Sequence, residues 1–368
     1  MFTLSLCMIV RNEEQTLDRI LSCAKKFCDE IIIVDTGSTD NTIDICRKYT
    51  SNIYNFEWQD DFSLARNFSF SKATKDYIIW LDADDNITKE NIEKLINLKS
   101  KENTETDFYM LKYVMGFVNN TPTFEFYRER IIKNNHNYKW QGFIHEAITP
   151  QGNIKYLDIQ IEHRKEKINP PMRNLKIYRK ALKRGLKFSA REQYYYAREL
   201  YFNNYFKKTI IELKKYLHMP NKYEPNIIDA YLIIAKSYIK LKDFSSALNI
   251  IFDCIKTHIP TPEICCLLAQ IYEEFQNINY AILWYNIAML TPSPKSGFIQ
   301  KDYEDFIPLI ELCRIYYKFN YTKSKEYFNK AKTLKPDDEL IIANNKFFEK
   351  KYWQHVLCYC QNVYVCCN

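Results

Sequence analysis

Four residues, DADD at 82–85, follow directly on the very apolar run YIIWL. Asp82 and Asp84 stand two apart, so one can meet a ribose while the other binds a metal. Their hard oxygen donors suit Mg²⁺ or Mn²⁺, which keep some of their waters and bridge substrate phosphates. Such an ion neutralises charge building on a diphosphate leaving group, acting as a Lewis acid. DTGSTDNT (35–42) follows another apolar run, EIIIVD. Asp35 can accept hydrogen bonds from uracil N–H or from sugar hydroxyls, and Thr39, Asp40, Asn41 and Thr42 can cap a helix.

Three further stretches carry chemistry. In VRNEE (10–14), Arg11 can pair with phosphate or with an acid of the site, and Glu13 and Glu14 suit the positive end of a helix. DDFSLARN (60–67) offers Asp61, Asn67 and Arg66, the last a bidentate partner for a diphosphate. WQGFIHEAI (140–148) sets His145 and Glu146 side by side in an apolar run. Glu146 can act as general base on an acceptor hydroxyl or thiol. His145 can orient it, contact a donor or ligate a metal, and His163 in IEHRK is the other imidazole available as a third ligand. Each has a plainer alternative: a solvated turn for DADD, helix capping for 39–42, a surface ion pair for Arg66, a structural role for either histidine.

These residues need elements to position them. The runs 4–10, 30–35 and 76–85 read as buried strands, with helices expected over 14–27 and 42–49. Strands alternating with helices imply βαβ units and a mainly parallel α/β sheet. Ligands of such sheets sit at the carboxyl ends of the strands, where the acidic clusters fall. From 108 to 162 shorter strand-like runs extend the sheet on the acceptor side.

After Pro170-Pro171 the chain reads as helix throughout. Ala235, Tyr238, Ala247 and Cys254 recur 34 residues later as Ala269, Tyr272, Ala281 and Ala288. Ala197 opens an earlier unit, and Phe328, Ala331 and Pro336 end a later one. Small residues at these offsets let antiparallel helices pack closely and stack into a solenoid. The pattern resembles tetratricopeptide repeats. The expected division is 1–168 for the α/β domain, 169–350 for the helical one and 351–368 for a Cys-rich tail of no assigned role.

The chain of 368 residues has the length of two domains and a net charge of +7. From Arg164 to Arg191 eleven Lys/Arg face one acid, so that segment is +10 and the remainder −3. The basic run fits a solvated helix face or peripheral contact with a membrane; without a recognition motif it supports no specific nucleic-acid binding. No run reaches 18 apolar residues, so no membrane span is expected, and MFTLSLCMIV lacks the basic start of a signal peptide. Scattered cysteines without zinc-type pairs fit reduced thiols in a cytoplasmic protein.

In this order, SLCMIVRNEE, IIIVDTGSTDNT, DDFSLARN, WLDADD and GFIHE resemble family-2 glycosyltransferases of the GT-A fold. They are most similar to the branch in which a His-Glu pair ends the catalytic half and tetratricopeptide-like helices follow. That branch includes peptide S-glycosyltransferases of glycosylated-bacteriocin clusters and relatives of lipopolysaccharide-core glucosyltransferases. The resemblance implies a UDP-sugar donor bound by Arg11, Asn12, Glu13, Asp35, Ser38, Arg66, Asp82 and Arg130, the last in the strand ERIIKN. It implies Mg²⁺ or Mn²⁺ on Asp82, Asp84 and His163, and catalysis by Glu146 with His145. Where relatives carry Glu-Asp, this chain has His-Glu, so the base is assigned by place alone.

The expected activity is inverting transfer of a hexose from a UDP-sugar to a peptide or protein Ser, Thr or Cys. A surface glycan or lipid-linked acceptor is the alternative within enzymes, and a non-catalytic repeat scaffold the alternative outside them. The repeats are expected to hold the acceptor or to pair two copies of the chain.

Overall fold

The computed structural model describes residues 1–101, 105–118, 121–164, 172–293 and 300–349, which fall into two compact units, Met1–Leu186 and Lys187–Asn368. The Cys-rich tail and residues 165–171 of the basic run lie outside the described residues.

The first unit is built on an eight-stranded sheet of order β3-β2-β1-β4-β7-β6-β8-β5. β1 (Leu4–Val10) lies parallel to both β2 (Glu30–Asp35) and β4 (Tyr77–Trp80), and β3 (Ile53–Asn55) continues the parallel half beyond β2. β7 (Thr121–Lys133) runs antiparallel to β4 and to β6 (Phe108–Val118). β8 (Ile154–His163) is parallel to β6, and the two-residue β5 (Asp85–Asn86) pairs with its end.

Both faces of the central strands are buried, which is why their sequences are continuously apolar rather than alternating. Leu6 and Met8 of β1 and Ile79 of β4 pack on one side, with α1 (Leu17–Ala24) and α4 (Lys89–Lys101). Cys7, Ile78 and Trp80 pack on the other, with Phe70 from α3 (Phe62–Phe70) and Trp140. α2 (Thr42–Arg47) contributes Cys46 to the first side. The strand expected over 76–85 stops at Trp80: the Asp85 amide bonds the Asp82 carbonyl at 3.1 Å, turning the acidic residues out of the ladder.

α5 (Arg173–Lys183) packs with this unit through Leu175, Tyr178 and Ala181, and Tyr178 meets the Phe143 ring edge-on at 5.1 Å. The division between the units therefore falls after Leu186, later than the 168 expected from the sequence.

The second unit is a succession of helical hairpins: α6 (Ala190–Phe202) with α7 (Phe206–Leu217), α8 (Glu224–Lys240) with α9 (Phe244–Ile255), α10 (Pro262–Glu274) with α11 (Ile278–Leu290), and α12 (Phe306–Tyr317) with α13 (Tyr321–Leu334). α14 (Glu339–Glu349) follows. The repeated Ala197, Ala235, Ala247, Ala269, Ala281, Ala288 and Ala331 are all fully buried, as close helix packing requires. The first helix of three hairpins ends in a Schellman motif, with bonds Tyr205 N to Leu200 O, Asp243 N to Tyr238 O and Asn277 N to Tyr272 O, each 2.9 Å. The left-handed residue that glycine usually fills is Asn204, Lys242 or Gln276. Ion pairs link first helices of successive hairpins: Arg198 to Asp229, Lys236 to Glu263 and Arg314 to Glu273.

The eight described cysteines are free thiols, buried or half-buried in the two units. Among the described residues no helix is long and apolar enough to cross a membrane.

Candidate active site

The carboxyl ends of β1, β2 and β4 carry the polar loops that the sequence singles out. At the end of β2, Asp35 is 7% exposed and accepts from the Gly37 and Ser38 amides at 3.1 Å. Gly37 sits at φ +102°, a conformation closed to residues with a Cβ, and this brings its amide onto the carboxylate. The two neighbouring loops are stitched together. The Asn12 amide donates to Ser38 Oγ at 2.9 Å, the Thr39 amide to Asn12 Oδ1 at 2.7 Å, and the Glu13 amide to Thr42 Oγ1 at 2.7 Å. Arg11 is exposed beside them.

Three acids leave β4 in different directions. Asp85 is fully buried; it accepts from Arg130 at 3.1 Å, from Tyr113 Oη at 3.0 Å and from the Asp82 amide at 2.9 Å. Arg130 is itself fully buried and stacked between Trp80 and Tyr113, its Cζ 3.8 and 4.1 Å from the ring centres. It braces Asp85 from behind rather than lining an open donor pocket. β5 brings Asp85 into register with His163 at the end of β8, and the Arg164 amide bonds the Asp84 carbonyl at 2.9 Å. As a result His163 Nδ1 stands 3.4 Å from Asp84 Oδ1, 3.8 Å from Asp85 Oδ1 and 2.9 Å from Tyr113 Oη.

Asp84, Asp85 and His163 thus offer ligand atoms within 4.8 Å of one another, the only such group among the described residues. Two carboxylates and an imidazole form a donor set that fits Mn²⁺ or Mg²⁺. Asp82, expected to share the metal, stands outside the group because it pairs with Arg66. Burial pushes the Asp84 carboxyl up to about 6; His163 pulls it down, and the like charges of Asp82 and Asp85 raise it further. Burial opposes the charge on His163 too, but the neighbouring carboxylates of Asp85, Asp84 and Asp82 outweigh it and raise its pKa.

Arg66 lies in α3, whose N-terminus is capped by Asp61 accepting from the Leu64 amide at 3.1 Å. Its Nε donates to Glu146 Oε1 and its Nη2 to Asp82 Oδ1, both at 2.7 Å. Trp80 and Trp140 both stand 4.9 Å from its Cζ, and the residue is 7% exposed. Burial opposes the guanidinium charge, but Asp82 and Glu146 outweigh it and hold the group protonated. The same pair works on Asp82: burial raises its carboxyl, and Arg66 and Arg130 bring it down to about 2.

The loop carrying Glu146 is closed by mutual bonds between Gln141 and Ala147 at 3.0 and 3.1 Å. It is tied to α3 by Asn67, which exchanges bonds with the Trp140 backbone at 2.9 and 3.0 Å, and by Phe62 N to Phe143 O at 2.9 Å. His145 adopts φ +53° and is exposed, whereas Glu146 turns inward. The adjacent pair in the sequence is thereby split, and His145 is not in the metal-ligating group.

Of the residues the sequence singles out, Arg66 joins Asp82 and Glu146, Asp84 stands beside His163, and Asp35, Asn12, Glu13 and Ser38 lie in the stitched loops. The structure adds Asp85, Tyr113 and the edge-on Trp80–Trp140 pair beside Arg66. The fourth letter of DADD was a signal for Asp85, and Trp140 opens the His-Glu stretch. Tyr113 had none, since it reaches the site through long-range pairing of β6 with β8.

Residues 5–152 match the profile of glycosyl transferase family 2. Over 148 residues the chain is 32% identical to the SPbeta prophage-derived glycosyltransferase SunS of Bacillus subtilis, covering 39% of this chain and 34% of that protein. Over 90 residues it is 44% identical to a TPR repeat-containing protein of Synechococcus elongatus, 24% of this chain and 22% of that one. These matches span about a fifth to a third of the relatives' own length. Among solved structures, S. aureus TarS 1–349 aligns with a TM-score of 0.35 at 15% identity, over 77% of this chain and 91% of that one. Residues 5–152 thus match a glycosyl transferase family 2 domain, and the helix pairs of the second unit follow it.

Proposed function

We propose that the chain is an inverting, divalent-cation-dependent glycosyltransferase that moves a hexose from a UDP-sugar to a peptide or protein side chain. The observation that carries this is the Asp84–Asp85–His163 donor set at the end of β4, next to Asp82, whose amide donates to Asp85 and whose carboxylate Arg66 joins to an inward-turned Glu146.

In this reading Asp35 and its stitched loops receive the nucleoside, and Asp82 faces the ribose. Asp84 and His163, with Asp85 behind them, hold Mg²⁺ or Mn²⁺, whose charge would stabilise the diphosphate as it leaves. Glu146 takes the proton from an acceptor hydroxyl or thiol. The acceptor oxygen or sulfur bonds to the anomeric carbon as the bond from that carbon to the UDP oxygen breaks. One displacement without a covalent sugar–enzyme intermediate inverts the configuration. Solenoids present extended surfaces suited to a peptide, so the second unit would hold the acceptor.

The test is UDP release from UDP-glucose, UDP-galactose and UDP-N-acetylglucosamine with Mn²⁺. Release from one donor, lost with EDTA and in Asp84→Ala, is the expected result. An absence of both release and UDP–Mn²⁺ binding by calorimetry would leave the scaffold reading in its place.

A further inference from the structure

We infer that Arg66 is a positioning residue for the proposed base: it sets where the Glu146 carboxylate stands relative to Asp82, and does not bind the donor diphosphate. This rests on the glycosyl-transfer reading above.

The sequence offers Arg66 as a phosphate partner, but its bonding capacity is directed elsewhere. Nε and Nη2 each hold a carboxylate at 2.7 Å, Glu146 from the loop and Asp82 from the end of β4. Trp80 and Trp140, packed edge-on with ring centres 4.9 Å apart, both stand 4.9 Å from its Cζ and wall one side of it. At 7% exposure, and with two carboxylates bonded to it, the residue has its positive charge already met and little left to offer a diphosphate.

What the arrangement does well is measure distance. A guanidinium is a rigid planar fork, so two carboxylates on adjacent nitrogens have a fixed separation. Trp80 belongs to β4, Arg66 to α3 and Trp140 to the Glu146 loop, so the stack joins the three pieces that must stay in register. Asn67, the next residue, fixes the same loop by its two bonds to the Trp140 backbone. Lysine at 66 would provide a charge without the fork, and its point-like ammonium would not hold both carboxylates in this geometry.

A positioning role and a donor-binding role separate in the kinetics. The probe is the UDP-sugar that the wild type turns over fastest, with Mn²⁺, alongside calorimetric binding of UDP and Mn²⁺. Arg66→Lys and Asn67→Ala should each lower kcat for UDP release by about 10²-fold, the cost of a misplaced group. In Asn67→Ala, which leaves the Arg66–Asp82 pair in place, the KM for donor and the UDP affinity should remain near wild type. Guanidinium ion added to Arg66→Ala should restore part of kcat, which a merely unfolded variant would not show. If Arg66→Lys raises KM and weakens UDP binding at unchanged kcat, Arg66 holds the diphosphate and the inference is wrong. Unchanged kcat in Asn67→Ala overturns it as well. That variant keeps every charge and decides the matter alone should Arg66→Lys not fold. A wild-type chain that turns over no donor removes the underlying reading, and the inference with it.

Discussion

Glu146 owes its inward course to its neighbour's backbone. Placing His145 at φ +53° costs about 1 kcal/mol or more for a residue with a Cβ, and such strain is kept where it directs a side chain. Exchanging the two residues would put an imidazole against the Arg66 guanidinium, a place that favours an anion. Glu146→Gln keeps the shape and removes the proton acceptor. It should lower kcat by about 10² to 10⁴-fold with little effect on UDP binding, as stopped assays of UDP release alongside calorimetry will show. Asp82 and Asp84, two residues apart, are driven in opposite directions by their surroundings, one to about 2 beside two arginines and the other to about 6 beside two acids. Spacing alone could not distinguish them, because Arg66 meets Asp82 from 16 residues away and Glu146 from 80.

At the scale of elements, two devices can be tested by stability. Asp76 clamps the start of the sheet, accepting from both the amide and the hydroxyl of Thr3 at 2.7 Å. These bonds hold its carboxyl below the usual carboxylate range. A folded-state value below the unfolded one means stability that is present above the unfolded pKa and lost as pH falls through the folded one. Asp76→Asn should therefore show a shallower loss of stability on acidification than wild type, measured by urea unfolding across pH. In the second unit, the Lys242→Gly variant relieves a left-handed lysine at a helix end. It should gain about 1 kcal/mol, read as a higher urea midpoint with unchanged slope.

These elements were unevenly legible. The strands at 4–10 and 30–35 were found to the residue, because burial on both faces leaves an uninterrupted apolar run. The alanine spacing gave the helical hairpins for the same reason. α3 and the β5–β8 pairing carry no such periodicity: the first interleaves polar with apolar residues (FSLARNFSF), and the second is two residues long. The candidate metal site is therefore only partly readable, since Asp85 joins Asp84 and His163 by a pairing that local sequence does not encode.

At the scale of the whole molecule, ligand binding should be visible as stability. A ligand at about a hundred times its Kd stabilises by about 2.7 kcal/mol. UDP with Mn²⁺ should raise the unfolding temperature of the full chain, and EDTA should remove the part of that rise that depends on the metal. Asp84→Asn should lose the metal-dependent part while retaining a response to UDP alone. A full metal-dependent shift in that variant would exclude Asp84 as a ligand. The charge distribution matters on this scale too: outside the basic run the chain is slightly acidic, so salt sensitivity of any acceptor binding would trace to residues 164–191.

The buried thiols have a further use. Cys7 and Cys46 lie in the core of the first unit, and Cys254, Cys265, Cys266 and Cys313 in that of the second. Burial raises the pKa of the Cys46 and Cys254 thiols to about 12 and of Cys265 to about 11, so these three carry little thiolate at neutral pH. Each becomes alkylatable only while the structure around it is open. Timed exposure to an alkylating reagent, read peptide by peptide in a mass spectrometer, would therefore give an opening rate for each unit in the unmodified protein, with the chain's own cysteines as the clocks.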